Sequence, residues 1–441
     1  MISRILQIIV LLCFENVIMA QNYFGFDQLP VHNYTRNDYQ SGNQNWNIAQ
    51  DNNGIIYFGN SNGLLVFNGN TWRLFTLPNQ TTVRSVASDK KGRIYVGSFE
   101  EFGYFEPNEY GVLQYTSLSG RLKNYTFHNE EIWKIIIEKN DVYFQSFTVI
   151  FKFSKNRVEA LWPGGFISCF SNVNNRLLVN ISQKGLFELN NSDFKTVSED
   201  SFFKSNEISA ILPFNNHFLV STSQQGVYLF NPDSGLNLWE TALQQSFKHD
   251  QINRGIVTPD GKIVFGTILN GIYILTKNGN LLHHIEKRNG LQNNTILDLF
   301  CDNKGDLWAG LDHGIDLIVL NSDISFYYNY SGIIGSVYAI QLKDQKLYIG
   351  TNQGLYKSVI PKKRDFPILL KFNLLNNSQG QVWSIYNADN QVLCGHNKGT
   401  FEIEKDEITP VSIVSGGLSF EEFSHKGIGY LIGSTYTKLV I

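Results

Sequence analysis

The stretch "NTILDLFCDNKGDLWAGLDHGIDLI", Asn294 to Ile318, holds short apolar runs separated by two turns, and its reading decides the fold. In "DNKG" the Asp302 side chain is placed to bond backbone two residues on, and Gly305 to take the positive φ of a tight reversal. The chain therefore turns back on itself there. "DLWAG" runs apolar as a strand covered on both faces does. Gly310, which ends that strand, marks a close backbone approach or a bulge, and Gly314 marks the next hairpin turn.

The same grammar recurs along the chain. It reads "WNIAQDNNGIIYFGNSNGLLVF" from Trp46, "VRSVASDKKGRIYVGSFEEFGYF" from Val83, and "INRGIVTPDGKIVFGTILNGIYIL" from Ile252. It returns as "VYAIQLKDQKLYIGTNQGLYKS" from Val337 and "VWSIYNADNQVLCGHNKGTFEI" from Val382. Weaker copies start at Trp133, Phe166 and Ile208. The strand-ending residue is Gly59, Gly97, Gly266, Gly310, Gly350, Gly395 and Gly433, with Gln145, Asn180 and Ser221 standing in where the motif has decayed. About ten units at a mean period of about 42 residues fall in the range of four-stranded propeller blades.

These patterns predict an all-β chain built as a β-propeller. A helical solenoid is excluded because no long segment keeps a 3.6-residue period without Gly, Asn or β-branched punctuation. A ring holds four to eight blades, so the units exceed one ring. The expected partition is a seven-bladed N-terminal ring of four-stranded blades over residues 21–330, followed by three blades of a second, incomplete propeller over 331–441. A single open array is the alternative. Thr71–Leu77 and Ile324–Tyr330 are read as outer strands, and Leu29–Tyr34 as an outer strand that helps close a ring. The last unit stops where its third strand should run, so the chain is expected to be a truncated piece of a longer protein.

Aromatic residues at 14% against 17% charged, with 37 Gly, suit many short strands joined by tight turns. A net charge of −3 leaves no basic surplus for phosphates, so nucleic-acid binding by this chain is not expected. "MISRILQIIVLLCFENVIMA" has a short positive start, an apolar run from Ile5 to Phe14 and a small-residue end at Ala20, and predicts a signal peptide over residues 1–20. An uncleaved anchor is the alternative. Cys169, Cys301 and Cys394 are too scattered for a disulfide framework and are read as buried core thiols. Sequons such as those at Asn79 and Asn124 are expected by chance in an Asn-rich chain.

The stretch Asn289–Ile318 resembles the two-component-regulator propeller repeat of Bacteroidetes periplasmic sensors. The resemblance lies in Asn294, Ile296, Leu299, Asp302, Gly305, Leu307, Trp308, Gly310 and Gly314. The run "NWNIAQDNNGIIYFGNSNGLLVFNGNTWRLF" is similar to the opening blade of the branch that ends in a triple-tyrosine domain and a helix-turn-helix effector. The resemblance implies two seven-bladed propellers and a small β-sandwich outside the inner membrane, then a membrane helix and a histidine kinase or DNA-binding effector. It implies glycan fragments as ligands. This chain departs from that pattern, with about ten of the expected fourteen repeats and no sandwich, membrane helix or cytoplasmic part.

Chemistry-bearing motifs are sparse. His283 and His284 are adjacent on a strand and face opposite sides, and no spaced partner completes a metal set. Asp51, Asp89 and Asp302 are turn residues before they are calcium ligands. Glu130 and Glu131 are read as a solvated loop rather than an acid/base couple. No catalytic residue, metal or cofactor is expected. The informative column stands just inside the first strand of each unit: Trp46, Arg84, Trp133, Ile167, Ser209, Asn253, Leu297, Tyr338 and Trp383. In a propeller these entrances ring one channel mouth. Trp46, Arg84 and Trp133, with Arg254 beside Asn253, are therefore the candidate ligand-binding residues, since aromatic faces stack on sugars and Arg binds carboxylates or hydroxyls through a planar fork. The competing reading has the tryptophans wedged between blades.

The expected function is a non-enzymatic, periplasmic ligand-sensing region of a membrane-spanning regulator, responding to a small molecule or oligosaccharide as a monomer or homodimer. Its contact with the membrane would run through sequence beyond this chain. A secreted polysaccharide lyase or hydrolase, and a structural adhesion module, are the alternatives.

Overall fold

The computed structural model describes residues 24–25 and 29–441, apart from 90, 124, 323, 325, 327–333, 361–368 and 389–390. The leader expected at residues 1–20 lies outside the described residues. The described chain divides into two compact units, one running from Leu29 to Ile324 and one formed by Phe24–Gly25 with the described part of 325–441.

The unit Leu29–Ile324 consists of seven four-stranded antiparallel sheets. Their innermost strands are Asn45–Gln50, Ser85–Ser88, Lys134–Glu138, Ile167–Val173, Ile208–Phe214, Ile252–Val257 and Ile296–Cys301. Each touches the next in that order, and the last touches the first. The unit is thus a closed propeller ring. Second strands such as Ile56–Asn60 and Leu307–Leu311 are buried along their whole length, whereas the outer strand Trp72–Phe75 is partly exposed. Burial on both faces accounts for the unbroken apolar runs in the sequence.

Packing lies between sheets rather than within them. Val264, Ile272 and Ile274 of the sixth sheet meet Ile296, Leu307 and Leu311 of the seventh. The seventh sheet is completed from the other end of the unit: Val31–Tyr34 pairs antiparallel with Ile315–Ile318, Val31 opposite Ile318 and Tyr34 opposite Ile315. This strand makes the seventh blade from both ends of the unit, as expected for Leu29–Tyr34. Ile324–Tyr330, also read as an outer strand, falls mostly outside the described residues. Trp72–Phe75 forms the outer strand read at Thr71–Leu77.

The repeated residues have structural causes. Asp302 Oδ1 accepts from the amides of Lys304 and Asp306 at 2.9 and 3.0 Å, and its Oδ2 accepts from Trp308 Nε1 at 2.9 Å. Asp51 and Asp89 repeat this arrangement, with Tyr57 and Tyr95 in place of the tryptophan. Their carboxylates are committed to turns. A Cβ on Gly310 would lie 2.4 Å from the Asn45 carbonyl oxygen of the neighbouring sheet, and one on Gly59 would lie 2.8 Å from that of Val83. The strand-ending glycine is therefore the place where the next blade begins.

The other unit contains four-stranded sheets over Val337–Leu374 and Val382–Ser412, and a three-stranded sheet over Ser419–Val440. Phe24–Gly25 pairs with Leu369–Leu370. Tyr348, Leu355, Val382, Cys394 and Ile408 form a core between its first two sheets. Short helices at Arg36–Tyr39, Ser201–Ser205 and Gln244–Asp250 were not legible in the sequence. Phe247 of the last is fully buried against Phe265 and Tyr273.

Candidate functional site

The candidate column coincides with a backbone irregularity. In the first strand of five sheets of the ring the pairing register slips by one residue, and the skipped residues are Trp46, Ser168, Ser209, Asn253 and Leu297. Arg84 and Trp133 stand just before their strands, with amides bonded to the carbonyls of Gly97 and Gln145 at 2.8 and 2.9 Å. A bulge leaves its extra residue unpaired and re-aims the side chain. The fourth member of the column is Ser168 rather than Ile167, which is fully buried between sheets. Sequence alone does not mark which of two adjacent residues is skipped.

Six of these seven positions line a cavity of about 730 Å³ at the centre of the ring: Trp46, Trp133, Ser168, Ser209, Asn253 and Leu297. Arg84 is not among the lining residues and packs on two that are. Its guanidinium carbon sits 3.9 Å from the Trp46 ring centroid and 5.0 Å from that of Trp133, and its Nε lies 2.5 Å from Glu131 Oε1. The two indoles meet edge to face at 6.0 Å, and among the described residues the buried Nε1 of each has no hydrogen-bond partner. Trp133 continues into Phe147 at 5.4 Å, and Phe147 into Phe166 at 4.8 Å, so an aromatic row leads from the cavity to two exposed rings.

Arg254, on the wall, faces a network that spans the ring closure. Its Nε lies 3.5 Å from Asp298 Oδ1 and its Nη1 donates to the Asn253 carbonyl at 3.0 Å. Asp298 Oδ2 accepts from Asn47 Nδ2 at 2.6 Å and the Ile48 amide at 2.9 Å, while Asn47 Oδ1 accepts from the Val86 amide at 2.8 Å. Four consecutive inner strands are joined in this way. The structure therefore gathers Trp46, Arg84 and Trp133 into one cluster and sets Arg254 in a separate one on the same cavity.

Apart from Arg254, sequence reading missed the residues one place beyond the column. Lys134, Asn47 and Asp298 all line the cavity from that position, as does Cys169. Burial pushes the Cys169 thiol up, against the pull of the nearby Lys134 and Arg254 charges. Cys394 is buried as well and is pushed up to about 12, whereas Cys301 is only half-buried, a correction to its reading as a core thiol; burial raises it to about 11. Glu130 and Glu131 are not a solvated loop: Glu130 is 5% exposed, accepting from Tyr125 Oη at 2.8 Å and from the His128 amide, and Glu131 pairs with Arg84. Among the described residues no group of three or more His, Cys, Asp or Glu is placed to hold a metal ion. Nor is any helix among them long and apolar enough to cross a membrane.

Residues 290–313 match the family model described as two component regulator propeller. No curated protein matches the sequence. Among solved structures, the chain is similar to extracellular domains assigned to hybrid two component systems of B. thetaiotaomicron. For BT3049 the TM-score is 0.65 at 15% identity, covering 94% of this chain and 60% of that one. For BT4673 it is 0.52 at 16% identity, covering 94% and 57%. This chain thus spans about three-fifths of the length of those domains. It is also similar to virginiamycin B lyase from Staphylococcus aureus, with TM-score 0.52 and 13% identity, covering 66% of this chain and 99% of that one. These likenesses establish the propeller fold, and the family match bears out the resemblance read from Asn289–Ile318.

Proposed function

We propose that this chain is the ligand-sensing part of an exported regulator of the two-component type, a seven-bladed propeller followed by blades of a second, and that the central cavity of the ring receives the ligand. The supporting observation is the convergence of six column positions, five of them at bulges, on one cavity, with Trp46 and Trp133 of a Trp–Arg–Trp cluster in its wall and an aromatic row leading outward. Nothing in the blade architecture requires aromatic and cationic residues there, since the equivalent positions on other strands carry Ser and Leu. Aromatic surfaces of this kind suit sugar rings. A ligand that favours one arrangement of the regulator would shift its population and pass the signal to an effector across the inner membrane.

The test is titration of the purified chain with pooled oligosaccharides, read by calorimetry and by tryptophan emission. Saturable binding, weakened about tenfold or more by Trp46→Ala or Trp133→Ala, supports the reading. Conversion of any bound glycan into shorter products would favour a lyase or hydrolase instead. Binding that neither substitution affects would remove the cavity as the site.

A further inference from the structure

We infer that the cavity takes an acidic ligand, a sugar acid whose carboxylate is received by Lys134 and Arg254 while its ring lies on the Trp133–Phe147 surface. This deepens the preceding proposal and rests on it. Lys134 and Arg254 come from the third and sixth inner strands and both line the cavity. Cys169 of the fourth strand, which lies between theirs in the ring, lines the same cavity. Between them the fourth and fifth strands present only small groups at the matching positions: Ser168, Cys169, Ser209 and Ala210. Two cations thus flank a stretch of wall that carries small side chains at these positions.

The balance of charges favours an anion. Among the described residues Lys134 Nζ has no hydrogen-bond or ion-pair partner, although the residue is only partly exposed. An ammonium offers three donors and no acceptor. The acidic lining groups do not answer it: Asp298 is committed to Asn47, the Ile48 amide and Arg254, and Glu207 accepts from Ser223 Oγ at 3.2 Å. Arg254 uses Nε and Nη1, and among the described residues its Nη2 has no bond. The unmet groups are therefore donors, which a carboxylate satisfies with charge-assisted bonds. A neutral sugar would leave the ammonium uncompensated.

The experiment compares trigalacturonate, its fully methyl-esterified form and maltotriose, each titrated at low salt into the full chain, its Lys134→Gln and Lys134→Arg variants, and Arg254→Gln. Thermal melts establish that the variants fold. The expected result is binding of the acid about tenfold or more tighter than the ester, a preference lost in Lys134→Gln, kept in Lys134→Arg, reduced in Arg254→Gln and weakened by salt. Equal binding of acid and ester overturns the acidic ligand and leaves the cavity as a sugar site. A preference that survives both Gln variants overturns the assignment to these cations. No binding of any of the three probes overturns this inference together with the reading on which it rests.

Discussion

Asn47 Nδ2 donates to Asp298 Oδ2 at 2.6 Å across 251 residues of sequence, tying the first inner strand of the ring to the last. The same carboxylate accepts from the Ile48 amide and faces Arg254. Asp298→Ala would leave a buried amide, a backbone N–H and a guanidinium without their partner, at a cost of about 3 kcal/mol. Urea unfolding of the variant is expected to show that loss, and an unchanged midpoint would mean the closure is held elsewhere.

A second closure contact is steric. Gly310→Ala places a methyl 2.4 Å from the Asn45 carbonyl oxygen, so the first and seventh sheets must move apart; the expected loss is about 2 kcal/mol or more. Gly69 is the matched control. It has φ +93° and open space around its Cβ, so Gly69→Ala carries only backbone strain, about 1 kcal/mol. Comparing the two denaturation midpoints separates crowding at the blade junction from the turn conformation.

These junctions mark the limit of what the sequence discloses. Asp302, Gly305 and Gly310 recur because each solves a problem inside one repeat or at the start of the next, so the sheets and their order are readable from spacing. The seventh blade is readable as well, because Val31–Tyr34 precedes the first unit as an orphan strand. The Asp298–Asn47–Val86 chain is not, since it depends on which strands become neighbours after closure. The column residues were visible as a pattern, and three candidates do come together, but the step from Ile167 to Ser168 depends on a register slip that leaves no compositional trace. Lys134 went unnoticed because a single lysine beside a tryptophan carries no signal until its lack of a partner is seen.

The closing strand is held by an aromatic layer. Tyr34 stacks on Trp308 at 5.8 Å and meets Trp72 and Phe67 at 5.3 and 5.4 Å. Tyr34→Ala is expected to cost about 3 kcal/mol by leaving a void among these rings. Tyr34→Phe keeps the rings, and among the described residues the hydroxyl makes no hydrogen bond, so it should be nearly neutral. Limited proteolysis should then cut the Ala variant near its N-terminus and spare the Phe variant.

Acid should loosen the sixth sheet and its helix. Burial by itself would raise the Asp250 carboxyl, but bonds from His249, Tyr273 and Asn270 outweigh it and hold the group below the usual carboxylate range. A depressed folded value gives stability that is present above the unfolded value of about 4 and is lost as pH falls through the folded one. Asp316 has the opposite sign: burial raises it despite bonds from Asn33 and Gln292, so its contribution is present at low pH and lost as pH rises. Asp250→Asn is therefore expected to flatten the stability profile below about pH 4, measured as urea midpoints against pH. An unaltered profile would rule out Asp250 as a source of the acid sensitivity.

Arg84 joins two indoles and a carboxylate, and its contributions can be separated. Arg84→Ala removes the cation over Trp46 and leaves Glu131, itself 22% exposed in its side chain, without a partner; about 2 kcal/mol should be lost. Arg84→Lys keeps the charge but not the planar group that lies between the rings, so it should recover only part of that. Removing the carboxylate as well, in Arg84→Ala with Glu131→Ala, should be less damaging than the sum of the two single changes, with a coupling of about 1 kcal/mol. Tryptophan emission provides an independent readout, because Trp46 and Trp133 should become more hydrated and shift to the red in the Ala variant but much less in the Lys variant. Strict additivity, with emission unmoved, would show that the cation is a bystander between the rings and not what holds them.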